Sequence, residues 1–151
     1  MRLALVHHAD AVGPGVDPQR PLSSIGLEQA DNLATRTKAA EFSPAVIWHS
    51  GKLRARQTGE AFLRICNPFA EFRMVRGLRP DDPPEILRDA LRAESTDLLV
   101  VGHMPHLASL LQLFVPDAAQ FPRHGLVLLE TTDAGSWREV WRSEVPGPFR
   151  P

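Results

Sequence analysis

The sequence predicts an α/β protein of three α/β/α layers around a mostly parallel mixed central sheet, closed by a C-terminal antiparallel hairpin. Three observations carry that prediction. Two short apolar runs, Leu3-Ala4-Leu5-Val6 and Leu98-Leu99-Val100-Val101, suit strands buried on both faces. Segments with apolar residues at helical spacing lie between the strand-like runs, and such alternation builds a parallel sheet. The tail departs from it, because residues 125–130 and 137–141 flank the turn-rich Thr132-Asp133-Ala134-Gly135.

The elements follow in order. After the first strand comes His7-His8-Ala9-Asp10, then a loop over residues 12–21. Its Gly13-Pro14-Gly15 and Asp17-Pro18 exclude regular structure, so it reads as an active-site loop or a disordered flap. Ser23 or Ser24, with Glu28 nearby, starts a helix that runs to about Ala39 with Leu27, Ala30, Leu33 and Ala34 facing the core. Residues 44–48 form the next strand. Ser50-Gly51 then turns into a helix that buries Leu53, Thr58, Ala61 and Phe62. A short strand at 71–75 and a loop at 77–84 precede a helix over 85–91, with Ile86, Leu87 and Leu91 inward. The strand ending at Val101 leads to a helix from about Pro105 that buries Leu107, Leu110, Leu111 and Phe114. Trp48, Trp137 and Trp141 read as core and hairpin packing rather than a protein interface.

Composition bounds the function. At 151 residues and 43% hydrophobic, the chain suits a single domain over 1–151 with a real core. Its formal net charge of -1 supplies no bulk attraction to nucleic acid or a membrane, so neither partner is expected. Lys38 and Lys52 are the only lysines, so the basic side chains are mainly guanidiniums, which suit planar recognition of phosphate or carboxylate. A single cysteine, Cys66, forms no internal disulfide and fits a reducing compartment as a buried thiol. The N-terminus runs straight into a strand without a signal-peptide pattern, and no apolar run approaches the ~20 residues of a membrane span. A cytoplasmic location is expected.

The chemistry gathers at strand ends. Two buried strands each deliver histidine at their carboxyl ends, His7-His8 and His103, where open α/β sheets place their sites. His8, the loop Arg20-Pro21-Leu22-Ser23-Ser24-Ile25-Gly26, the segment from Ser50 through Arg54 to Thr58, and Gly102-His103-Met104-Pro105 resemble, in order and spacing, the histidine phosphatase superfamily. Within it the chain is similar to the small SixA-type phosphohistidine phosphatases. The resemblance runs from Leu3 to about Leu111 and implies a phosphoglycerate mutase-like fold and a hydrolase that needs no cofactor and no metal.

The resemblance also implies roles. His8 is the nucleophile that forms a covalent phosphohistidine. Arg54, in the first turn of its helix, clamps the phosphate, Arg20 contacts it from the loop, and His103 stabilises the phosphoryl group from the opposite side. Such a division suits phosphoryl transfer, which needs an in-line nucleophile and positive groups around the equatorial oxygens. Ser50 offers the phosphate a hydroxyl or closes a turn. The implied partner is a phosphohistidine protein or a small phosphoramidate or phosphoester. His106 is expected beside the site or on the surface, and His49 and His124 carry no motif. Among the carboxylates Asp81, Asp82 and Glu85, Asp82 suits helix capping, and a labile P–N bond needs little acid help. Asp10 suits local hydrogen bonding.

Residue 7 departs from the family pattern, which has arginine before the nucleophile and glycine after it where this chain has His7 and Ala9. Losing one preorganised donor to a transferring phosphate costs roughly 3 kcal/mol, or about 100-fold in rate. Three outcomes stand open: charged His7 does the arginine's work with an acid-shifted optimum, another arginine such as Arg56 or Arg79 reaches in, or the site is a pseudo-phosphatase that binds phosphate or phosphoprotein without turnover. A metal site built from His7, His8, Asp10, His103 and His106 has suitable ligand types, but the neighbouring arginines oppose a cation.

Overall fold

Side chains alternate along the strands, and the alternation sorts the core into two layers. In the computed structural model, which describes residues 1–144, β1 (Arg2–His7) turns Ala4 and Val6 to one face and Leu3 and Leu5 to the other. The chain continues through α1 (Ser24–Ala39), β2 (Val46–His49), α2 (Leu53–Ile65), β3 (Glu71–Met74), α3 (Pro84–Leu91) and β4 (Leu98–Gly102). It ends in α4 (His106–Phe114), β5 (Leu126–Thr131) and β6 (Trp137–Ser143). The first face packs on α1 and α2 through Leu33, Ala34, Ala61 and Phe62. The second packs on α3 and α4 through Leu87, Leu91, Leu107 and Leu110. Residues 145–151 of the expected domain lie outside the described ones.

The six strands run in the order β3-β2-β4-β1-β5-β6. β1 to β4 are mutually parallel, whereas β5 runs antiparallel to β1 and to β6. This arrangement is the expected three-layer fold with a mostly parallel mixed sheet and a terminal hairpin. The carboxyl ends of β1, β2 and β4 therefore share one edge with the beginning of β5, since Val6 pairs with both Val101 and Leu126. Among the described residues no helix is long and apolar enough to cross a membrane.

Two expected core residues point outward. Leu27 and Ile86 are each half exposed. In α1 the inward line is Gly26, Ala30, Leu33, Ala34 and Thr37, so Leu27, one step of ~100° from Gly26, falls on the flank. Glycine holds that place because a Cβ on Gly26 would overlap the Asp10 carbonyl. In α3 only Leu87 and Leu91, four apart, turn inward, and Ile86 lies over Gly77 instead. Leu53 and Phe114 are half-buried, Phe114 against Trp137 with ring centroids 5.3 Å apart. Asp82 does not cap α3, whose N-cap is Pro83; its carboxylate accepts the Arg79 amide at 2.9 Å and closes the turn before the helix.

The 12–21 loop is pinned at its base rather than a free flap. Val12 donates to the Pro21 carbonyl at 2.9 Å, and Ala11 bridges Leu22. Ser23 caps α1 by accepting from the Gly26 amide at 3.0 Å, while its hydroxyl donates to the Asp10 carboxylate at 2.6 Å. The helix start and the His8 loop are thereby fixed to each other. Replacing Gly26 with alanine is expected to destabilise the protein by about 1–3 kcal/mol, because the added methyl must push α1 off the Asp10 backbone. Leu27→Ala, on the flank, is expected to stay within about 0.5 kcal/mol. Urea midpoints of the two variants check the contrast, and equal midpoints refute it.

Candidate active site

β1 ends on His7, and the His8 amide continues the ladder by donating to the Gly102 carbonyl at 3.1 Å. The ends of β1 and β4 therefore carry His8 and His103 side by side, with ring centroids 5.0 Å apart. His7 lies 4.6 Å from His8, edge to face. The Ala9 amide donates to Thr58 Oγ1 at 3.0 Å, and that hydroxyl donates to the Arg54 carbonyl at 2.8 Å. One threonine thus ties the loop after His8 to the first turn of α2, where Arg54 sits. The N-cap of α2, Lys52, makes no side-chain cap bond, so the first amide donors of the helix have no capping side chain and suit an anion.

Backbone contacts decide the ring tautomers, because a carbonyl only accepts and an amide N–H only donates. His8 Nδ1 lies 2.7 Å from the Ala9 carbonyl, so it carries the proton and Nε2 keeps its lone pair. His124 Nδ1 donates likewise to the His8 carbonyl at 2.6 Å. His7 is the opposite case. Its Nδ1 accepts the His124 amide at 2.8 Å, so in the neutral ring Nε2 carries the proton and is a donor.

Burial and like charge keep these rings neutral. Burial pushes His7 down to about 2, with the neighbouring imidazoles and Arg123 adding to the effect. Burial likewise takes His8 down to about 4, opposed by its bond to the Ala9 carbonyl and assisted by Arg54 and Arg20. His103 falls to about 3 through burial, followed by His8, Arg54 and Lys52. Burial, then Arg20, lowers Arg54 from its ordinary value. The charges that act on the three rings are thus all positive.

Unpartnered atoms mark the same spot. Arg54 Nε and His103 Nδ1 are buried without a hydrogen-bond partner. The other His103 nitrogen, Nε2, lies 2.6 Å from Ser50 Oγ, which also accepts the Lys52 amide at 3.3 Å. Ser50 therefore both closes a turn and contacts His103. Arg20 approaches from its loop with a left-handed backbone at φ 50°, its Nε donating to the Val12 carbonyl at 3.0 Å.

Of the expected site residues, His7, His8, Ser50, Arg54 and His103 come together at the carboxyl edge of the sheet, with Arg20 close enough for its charge to act on His8 and Arg54. Asp10 accepts from Ser23, outside the imidazole cluster. His106 is buried rather than on the surface, and both ring nitrogens lack a hydrogen bond, while the nearby Gly77 carbonyl and Asp82 oppose the effect of burial. His49 packs on Phe72 and accepts the Gly51 amide. Arg56 acts on His49, and Arg79 lines a groove of about 740 Å³ with Ser50, Lys52, Arg76 and Asp82. The arginine whose charge acts on His7 is Arg123.

His124 was missed by sequence reasoning. Its ring stacks on His7 at 4.8 Å and 6°. The available signal is its place immediately before a hairpin strand that, once antiparallel to β1, opens at the edge where the parallel strands close. His7, His8 and His124 bring one ligand atom each within 4.8 Å of the others. They fit a metal poorly, because His7 turns an N–H rather than a lone pair to the site and guanidiniums surround it.

No family model and no curated protein matches the chain. Solved structures do. The histidine phosphatase SixA complexed with tungstate aligns over 95% of this chain and 97% of its own, with a TM-score of 0.85 and 21% identity. The chain shares the SixA fold. A candidate phosphohistidine phosphatase SixA from Agrobacterium tumefaciens covers 97% of this chain and 98% of its own at TM-score 0.80 and 24% identity. A phosphoserine phosphatase of Entamoeba histolytica, in complex with 3-phosphoglyceric acid, aligns over 95% and 96% at TM-score 0.71 and 13% identity. The SixA fold and its relatives thus include phosphatases with different named substrates, on the expected phosphoglycerate mutase-like architecture.

The neutral rings make stability depend on pH. In the unfolded chain each histidine takes up a proton near 6.5, whereas His7, His8 and His103 in the folded protein resist protonation to about 4 or below. Between those values the unfolded state binds more protons, so stability falls as pH falls, by up to about 1.4 kcal/mol per pH unit for each ring. The urea midpoint is expected to drop from pH 7 to pH 5, and less steeply in His103→Gln. A midpoint constant over that interval contradicts the depressed values.

Proposed function

We propose that the protein is a phosphohistidine phosphatase that works through a covalent phosphohistidine on His8. One observation carries the reading: His8 keeps a free Nε2 lone pair while every charge acting on its ring is positive. Its Nδ1–H is held by the Ala9 carbonyl at 2.7 Å, and the ring stays unprotonated to about pH 4. A nucleophile and a cradle for negative oxygens therefore coexist at neutral pH. The tungstate held by the SixA structure is a tetrahedral oxyanion, the shape such a cradle suits.

In the proposed step His8 Nε2 attacks phosphorus in line while the substrate P–N bond breaks. A substrate imidazole protonated on its other nitrogen departs as neutral imidazole, so the enzyme need not supply an acid. That suits a site in which Asp81 and Glu85 are exposed and Asp82 is engaged with the Arg79 amide. Arg54, Arg20, the His7 Nε2–H and His103 bind the phosphoryl oxygens, with Ser50 holding His103 in place. Water then attacks phosphorus, releasing phosphate and restoring His8. The partner is a phosphohistidine protein, and the step uses no metal.

Phosphate release from a phosphohistidine peptide tests the reading. His8→Ala is expected to abolish turnover, Arg54→Ala to lower it about 100-fold, and a chelator to leave it unchanged. Mass spectrometry of the quenched enzyme is expected to find the phosphoryl group on His8. Because the free His7 ring is neutral, turnover is not expected to depend on acid between pH 7.5 and 5.5. Tungstate binding without turnover at either pH would replace the enzyme with a phosphate-binding pseudo-phosphatase.

A further inference from the structure

The loop before β5 is built into the site. Four contacts pin it: the His7 amide donates to the Gly125 carbonyl at 3.0 Å, the His124 amide donates to the His7 ring at 2.8 Å, His124 Nδ1 donates to the His8 carbonyl at 2.6 Å, and the His124 ring stacks on His7. His124 holds this position with a left-handed backbone at φ 54°, a conformation found for few residues other than glycine. Such outliers persist where surrounding contacts overdetermine them, and they concentrate at functional sites.

Arg123 precedes this turn. Its side chain is exposed and has no ion-pair or hydrogen-bond partner among the described residues. Arg142, on the strand that pairs with β5, is by contrast engaged: it grips Glu139 and the Gln120 carbonyl. We infer that Arg123 is a phosphate-binding residue, delivered by the His124 turn to supply the guanidinium that His7 cannot. The His7 Nε2–H then gives a neutral donor, and the guanidiniums give charge, Arg54 acting on His8 and Arg123 on His7. The guanidinium is also near enough for its charge to weigh against protonating His7, as expected for a cation beside that ring. An exposed arginine keeps this contribution adjustable, since it can close on an oxyanion after binding.

The inference deepens the phosphatase reading and rests on its oxyanion site, so the test reads anion binding apart from turnover. Tungstate affinity is measured by calorimetry on the full chain. Arg123→Ala and Arg123→Gln are expected to weaken binding by roughly tenfold to a hundredfold, and Arg123→Lys to retain part of it. Arg92→Ala removes the same charge from the opposite end of the sheet, where Arg92 pairs with Asp89, and is expected to change affinity less than about twofold. Thermal midpoints of the Arg123 variants should match the parent. Unchanged affinity in Arg123→Ala, or an equal loss in Arg92→Ala, overturns the role of Arg123 while leaving the phosphatase reading intact. No tungstate binding by the parent protein overturns the oxyanion site and this inference together.

Discussion

The hydrogen bond from the His8 amide to the Gly102 carbonyl, 3.1 Å long, extends the β1–β4 ladder one residue past the end of β1. Everything at the carboxyl edge depends on it. The register places His7 opposite Gly102, so His8 and His103 emerge as neighbours rather than one strand-repeat apart. Through Thr58 the same register carries to α2 and Arg54, and through Gly125 to the start of β5. Strand pairing, a cooperative property of the whole core, thereby sets distances between groups from four separate segments.

That arrangement costs stability. Burying His7, His8 and His103 beside the half-buried Arg54 without a carboxylate leaves like charges and unpaired polar atoms in one place. The core compensates elsewhere, with two apolar layers in which Phe62, Leu99, Leu98 and Leu107 are fully buried. The imidazoles respond by giving up protons, which removes most of the repulsion and leaves lone pairs behind. Neutralisation by burial and nucleophilicity at neutral pH are one physical event here.

The sheet and its layers were legible because β1, β2, β4 and β5 each carry an apolar run and the helices between the parallel strands have apolar stripes. His8 and His103 could be placed together because strand ends are read from local pattern, whereas Arg54 stood out only through the family resemblance. Leu27 and Ile86 misled because each adjoins a residue that holds the inward position, Gly26 in one case and Leu87 in the other, and glycine gives no apolar signal. His124 and Arg123 were invisible for a different reason. Their nearness to His7 comes from an antiparallel pairing between residues more than a hundred positions apart, and no local pattern encodes it. His7 looked like a charged substitute for arginine only while its burial was unknown.

The amide of His124 binds the ring nitrogen of residue 7, and this contact limits what residue 7 can become. Arginine has no acceptor, so placing it there would strand a half-buried N–H at a cost of about 1–3 kcal/mol while gaining a guanidinium. The loop before β5 and the end of β1 have to change together or not at all. Residue 7 is thus read by the backbone on the far side of the sheet edge, and any side chain there that cannot accept a hydrogen bond is felt first as an unpaired donor at His124.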